Sequence, residues 1–132
     1  MNGFVAGALV ALGISATPAL AETFTAENKV VVTGVSDSLI SVPSGGRFGA
    51  RGAWCAAADY ATDVLHAPGA ARLYVQNPAT SPSGAVVFGL TPGNTTPTRV
   101  TSTSAALRRA GSNLSINHAM QFCHDARLRR GR

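Results

Sequence analysis

The chain has 132 residues, a formal net charge of +5 and a hydrophobic content of 45%. This length corresponds to one small domain that can bury a modest core. Aromatic residues make up only 6% of the chain, and few of them accompany the arginines. The sequence therefore contains no specific motif for stacking on single-stranded nucleic acid.

The first 21 residues predict a signal peptide. They contain no charged side chain, and a small and apolar run covers 4–14. The segment Ala19 to Ala21 then matches the small-x-small pattern of a secretory cleavage site. The alternative is a retained membrane anchor, but glycines and Pro18 make this stretch a poor span. We expect a secreted or periplasmic domain over 22–132, with no transmembrane helix after cleavage.

Two β-branched runs follow at Lys29–Thr33 and Ser38–Val42. The residues between them, 34–37, include Gly and Asp, which suit a turn, so the pattern predicts a hairpin. A glycine-rich connection over 43–52 then leads towards a helix.

This glycine-rich connection is the first candidate site. Arg47 and Arg51 lie beside the predicted helix N-terminus, where unpaired amides and the helix dipole favour a bound anion. The spacing matches neither a Walker loop nor a dinucleotide fingerprint. The alternative is a plain flexible connector.

A helix is predicted over Gly52–His66, because its apolar residues recur at helical spacing and Pro68-Gly69 follows as a stop. The opposite, polar face carries Tyr60 together with Asp59, Asp63 and His66, and the last three are spaced at i, i+4 and i+7. Two carboxylates and an imidazole in this arrangement are candidate ligands for a metal ion. The alternative is a solvated helical face.

Alternating runs at Ala71–Gln76 and Gly84–Leu90 predict two antiparallel strands joined by a turn-rich loop. A short edge strand is predicted over Arg99–Ser104 from its extended-backbone preference, although its alternation is weak. The segment 105–111 fits either a helical turn or a continuing strand.

A second helix is predicted from Ser115, as N-cap, to about Leu128. Cys123 lies in the middle of its apolar stripe, and Cys55 lies on the first helix. An exported chain with two cysteines predicts one disulfide between them, which would contribute roughly 4 kcal/mol in the chain-entropy model. The alternative is two separate buried thiols.

The excess positive charge lies at the C-terminal end. A basic tail over 127–132 contains four arginines that can attract phosphates, anionic lipid headgroups or an acidic partner. Its alternative is a solvated end that only keeps the protein soluble. The four arginines are Arg127, Arg129, Arg130 and Arg132.

Together these elements predict an α+β domain, in which a small antiparallel sheet of about four to five strands packs against two helices linked by one disulfide. We expect a non-catalytic binding or accessory protein that requires no cofactor and engages an acidic protein surface or an anionic envelope component. No catalytic residue is assigned, since no Gly-x-Ser-x-Gly motif is present. The alternatives are a small metal-dependent or hydrolytic enzyme and a structural subunit of an envelope complex.

Overall fold

The computed structural model describes residues 22–130, so the predicted signal peptide at 1–21 and Arg132 lie outside the described residues. The chain forms one antiparallel sheet packed with helices, which confirms the predicted α+β class. The sheet has six strands in the order β1-β2-β3-β5-β4-β6, rather than four to five. The strands are β1 (Glu22–Thr25), β2 (Val31–Gly34), β3 (Leu39–Pro43), β4 (Arg72–Asn77), β5 (Ala85–Gly89) and β6 (Asn113–Ser115).

The four predicted strands correspond to β2, β3, β4 and β5, and both predicted antiparallel pairings are present. Two short strands extend this sheet at its edges. Strand β1 pairs with β2 along its whole length, and β6 pairs with β4. The pairing of β3 with β5 joins the N-terminal hairpin to the second pair of strands, with Ile40 opposite Phe88.

Helix α1 (Gly49–Asp63) packs on strands β2 and β3. Trp54, Cys55 and all alanines of the helix except the partly buried Ala50 are buried, and the Trp54 ring meets Phe88 edge-on at a centroid distance of 4.9 Å. Small side chains allow the helix to approach the sheet closely, and one large ring fills the remaining space.

The prediction of a polar outer face on α1 is wrong for two of its residues. Asp59 and Tyr60 are only 7% and 3% exposed. The hairpin of β1 and β2 covers them: Phe24 packs edge-on against Tyr60 with ring centroids 5.6 Å apart, and the Glu27 backbone N–H donates to Asp59 Oδ2 at 2.8 Å. Asp59 and Tyr60 are therefore packed against the N-terminal hairpin and are not exposed to solvent.

The C-terminal region differs from its prediction in two places. No edge strand forms over 99–104; instead Ser102 caps the short helix α2 (Thr103–Ala106), accepting a hydrogen bond from the Ala105 N–H. The predicted second helix is two helices, α3 (Ile116–Gln121) and α4 (His124–Arg130). Ser115 is the N-cap of α3, as predicted, and accepts a hydrogen bond from the His118 N–H.

Candidate functional site

The disulfide predicted between Cys55 and Cys123 is present, and its two Cα atoms lie 5.0 Å apart. Both cysteines are completely buried, and neither remains as a free thiol. The bridge links the middle of α1 to the junction of α3 and α4. It therefore holds α4, with its arginines, beside the N-terminal part of α1.

Two bidentate ion pairs also hold α4 in this position. The Arg51 guanidinium donates to both carboxylate oxygens of Asp125 at 2.8 and 3.1 Å. The Arg127 guanidinium donates to both oxygens of Glu27 at 2.8 and 3.0 Å. The hydrogen bond from Arg51 holds the pKa of the Asp125 carboxyl below its usual range. Two of the arginines predicted to bind anions, Arg51 and Arg127, thus form ion pairs with carboxylates of the same chain.

Two other predicted arginines meet at Phe48, the residue that precedes α1. Phe48 has a left-handed backbone with φ of 68° and provides no side-chain cap for the helix. The Arg47 and Arg129 guanidinium carbons lie over its ring, 5.8 and 5.3 Å from the centroid. Each distance is within the range for a cation–π contact. Residues distant in sequence, from the glycine-rich connection and from α4, are thereby brought together.

These two arginines line a cavity of about 150 Å³, which we call the Phe48 cavity. Lys29 adds a third positive charge, and its backbone is also left-handed, with φ of 70°. Glu27 lines the cavity too, but its carboxylate receives the bidentate contact from Arg127. Within residues 22–130, neither Arg47 nor Arg129 forms a salt bridge. The remaining charge at this cavity is therefore positive, and the N-terminal end of the α1 dipole adds to it.

The predicted metal ligands Asp59, Asp63 and His66 do not form a metal site. Helix α1 ends at Asp63, and His66 has a left-handed backbone with φ of 55°, so the i+7 spacing that the prediction assumed is lost. Burial and the neighbouring Asp63 raise the pKa of Asp59, whose carboxylate receives the Glu27 N–H. In the part of the chain that the structure describes, no three His, Cys, Asp or Glu side chains form a group that could hold a metal ion.

The predicted basic tail is mostly helical. Arg127, Arg129 and Arg130 belong to α4, and only Arg129 of the described tail side chains contributes to the Phe48 cavity. Phe48 and Lys29 were not predicted as site residues. An aromatic residue between Arg47 and the helix start was the available signal for Phe48, whereas nothing in the sequence indicated that the turn containing Lys29 packs beside α4.

Within 22–130, no helix has both the length and the apolar character that crossing a membrane requires. No protein-family model, curated protein or solved structure matches the chain significantly.

Proposed function

We propose that this chain is an exported, non-catalytic binding protein that engages an acidic protein partner through the Phe48 cavity. The observation that carries the proposal is the pair of arginines, Arg47 and Arg129, placed over one aromatic ring without a carboxylate partner among the described residues. Export is supported by the buried disulfide, since such bonds persist in oxidising compartments.

The surroundings of the two arginines favour a carboxylate ligand. Arg51 and Arg127 show how this chain already binds carboxylates, in both cases with two parallel hydrogen bonds. Arg47 and Arg129 have the same fork of donors and are exposed to solvent. Their stacking on Phe48 limits the orientations that the side chains sample, which lowers the entropy cost of binding.

A concave site favours a protein over a membrane surface. The Phe48 cavity, at about 150 Å³, accommodates a projecting acidic side chain or a chain-terminal carboxylate. A bilayer presents a flat array of headgroups, to which polybasic segments bind without a shaped cavity. We therefore place an acidic polypeptide ahead of an anionic envelope surface.

The test measures the affinity of the full chain for fluorescein-labelled poly-L-glutamate by fluorescence anisotropy. Changing both cavity arginines, Arg47→Gln and Arg129→Gln, removes two charge-assisted contacts, which together contribute about tenfold or more to affinity. We expect binding to weaken by at least about tenfold for the double variant. Wild-type binding should also fall as added salt shortens the Debye length from about 30 Å to 8 Å.

The matched control is the double variant Ser36→Glu/Ser38→Glu. It has the same net charge as the test variant, both residues are exposed, and neither lines the Phe48 cavity. Equal weakening in both variants would mean that overall charge, and not this cavity, determines binding. Phosphatidylglycerol vesicles provide the other comparison: tighter binding to them than to poly-L-glutamate would contradict the choice of a protein partner.

A further inference from the structure

A second basic cavity is lined by residues of the segment between β5 and β6. Its volume is about 300 Å³, and its lining includes three arginines, Arg99, Arg108 and Arg109, together with Thr101 and Ser112. None of these residues lines the Phe48 cavity. The two sites are therefore separate, and variants can test them independently.

No acidic side chain offsets the three arginines. The chain contains no Asp or Glu between Asp63 and Asp125, so the whole segment that builds this cavity lacks carboxylates. The salt bridges found within 22–130 involve only Arg51 and Arg127 as cations. Three exposed guanidinium groups around one cavity repel each other, and a bound anion would relieve that repulsion.

Ser112 provides a second observation that points to a ligand. The residue is only 1% exposed, and its hydroxyl has no hydrogen-bond partner among the described residues. Its backbone is satisfied: the N–H donates to the Arg109 carbonyl, and the carbonyl accepts from the Val75 N–H at 2.8 Å. A buried hydroxyl left unpaired is costly, and such a group in a native protein calls for an explanation.

The position of Ser112 is fixed by the fold around it. It forms a parallel bridge with Thr98, and the preceding residue, Gly111, donates its N–H to the Val75 carbonyl at 2.7 Å. A hydroxyl on such a constrained backbone is preorganised, so a ligand that accepts its hydrogen bond does not have to order it first.

From these features we propose that this cavity binds the tetrahedral oxyanion of a small phosphate or sulfate ester, with Arg99, Arg108 and Arg109 as cations and Ser112 as a neutral donor. Guanidinium groups match tetrahedral oxyanions by paired hydrogen bonds. The volume is at the lower end of the range of about 300–1,000 Å³ for small-molecule sites, so space remains for the organic part of the ester.

The experiment is isothermal titration calorimetry of the full chain with inorganic phosphate and, separately, inorganic sulfate. We expect both to bind, and Arg108→Gln/Arg109→Gln to weaken binding by at least about tenfold. The control Ser36→Glu/Ser38→Glu lowers the net charge by the same two units at exposed residues that line neither cavity, and it should retain wild-type affinity within about twofold. Equal losses in the two variants, or no loss in the first, would overturn the proposal.

Ser112→Ala tests the neutral donor. We expect weaker phosphate binding by about threefold to tenfold, while thermal unfolding without added anion shows no loss of stability, because the variant removes an unpaired buried hydroxyl. Unchanged phosphate affinity would overturn the role of Ser112.

The pH dependence distinguishes the two anions. Phosphate gains its second charge near a pKa of about 6, whereas sulfate stays doubly charged. A site that prefers phosphate should bind it more tightly at pH 7.5 than at pH 5.5, with sulfate unchanged and weaker. Tighter binding of sulfate at both pH values would assign the site to sulfate esters.

Discussion

Removing the disulfide between Cys55 and Cys123 should lower the free energy of unfolding by about 4 kcal/mol. The bridge closes a loop with a sequence separation of 68 residues. In the chain-entropy model, such a loop reduces the entropy of the unfolded chain by about 15 cal/mol/K, which corresponds to about 4 kcal/mol at room temperature. Small domains are stable by only about 5–15 kcal/mol, so this loss is a large part of the total.

Urea denaturation followed by tryptophan fluorescence provides the measurement, because Trp54 is the only tryptophan and is completely buried. With an m value of about 1–2 kcal/mol/M, the midpoint should fall by about 2–4 M. The m value itself should rise, since the unfolded chain without the bridge is more expanded.

Two samples separate the cross-link from the packing of its sulfur atoms. The reduced wild-type chain keeps both sulfurs and loses only the bond, whereas Cys55→Ala/Cys123→Ala also loses buried atoms and should be somewhat less stable. Reductant should have no effect on the alanine variant, because the chain has no other cysteine. A loss below about 1 kcal/mol in the reduced wild type would refute the entropic argument.

Three further predictions concern packing and charge. Gly34→Ala should lower the free energy of unfolding by about 1–3 kcal/mol, because the added Cβ would overlap the Tyr60 hydroxyl. In a double-mutant cycle, adding Tyr60→Phe should recover most of this loss. Losses that simply add would contradict the clash. Gly111→Ala should lower the free energy of unfolding in urea by more than about 2 kcal/mol, because φ is +89° and the added Cβ would overlap the Thr96 carbonyl oxygen. Unchanged stability would contradict this steric argument. Burial raises the pKa of the Asp59 carboxyl above its usual value of about 3.8. The folded state therefore keeps the carboxyl proton to a higher pH than the unfolded state does. As the pH rises above about 3.8, the contribution of Asp59 to the free energy of unfolding falls. Relative to wild type, Asp59→Asn should therefore gain stability between acid and neutral pH, and a relative loss over that range would be inconsistent with the raised pKa.

The sequence predicted the elements whose patterns are long enough to be periodic. Helix α1 shows the apolar spacing over several turns, and the four inner strands alternate or are β-branched. The disulfide was predictable because the chain has only two cysteines, Cys123 within an apolar stripe and Cys55 at the edge of another. The N-cap Ser115 was likewise visible as a polar residue directly before an apolar stripe.

The elements that were missed are short or depend on distant contacts. Strand β6 has only three residues, which are too few to show an alternation of apolar and polar side chains. It forms because β4 offers a free edge. The break between α3 and α4 contains neither Gly nor Pro, and its position coincides with the disulfide at Cys123.

The candidate site could be predicted only in part for the same reason. Arg47 and Arg129 were recognised as basic residues near helix ends, but their shared contact with Phe48 joins segments far apart in the sequence. Arg51 and Arg127 form ion pairs within the chain because folding places Asp125 and Glu27 beside them, and the sequence does not show these positions.

The most direct test of the proposed acidic-partner site is a two-dimensional ¹H–¹⁵N NMR titration of the full chain with poly-L-glutamate. We expect the largest shifts at the residues of the Phe48 cavity, Lys29, Arg47, Phe48 and Arg129, and we expect these shifts to disappear as salt is added. Shifts confined to other parts of the chain, or none at all under low salt, would contradict the assignment of binding to the Phe48 cavity.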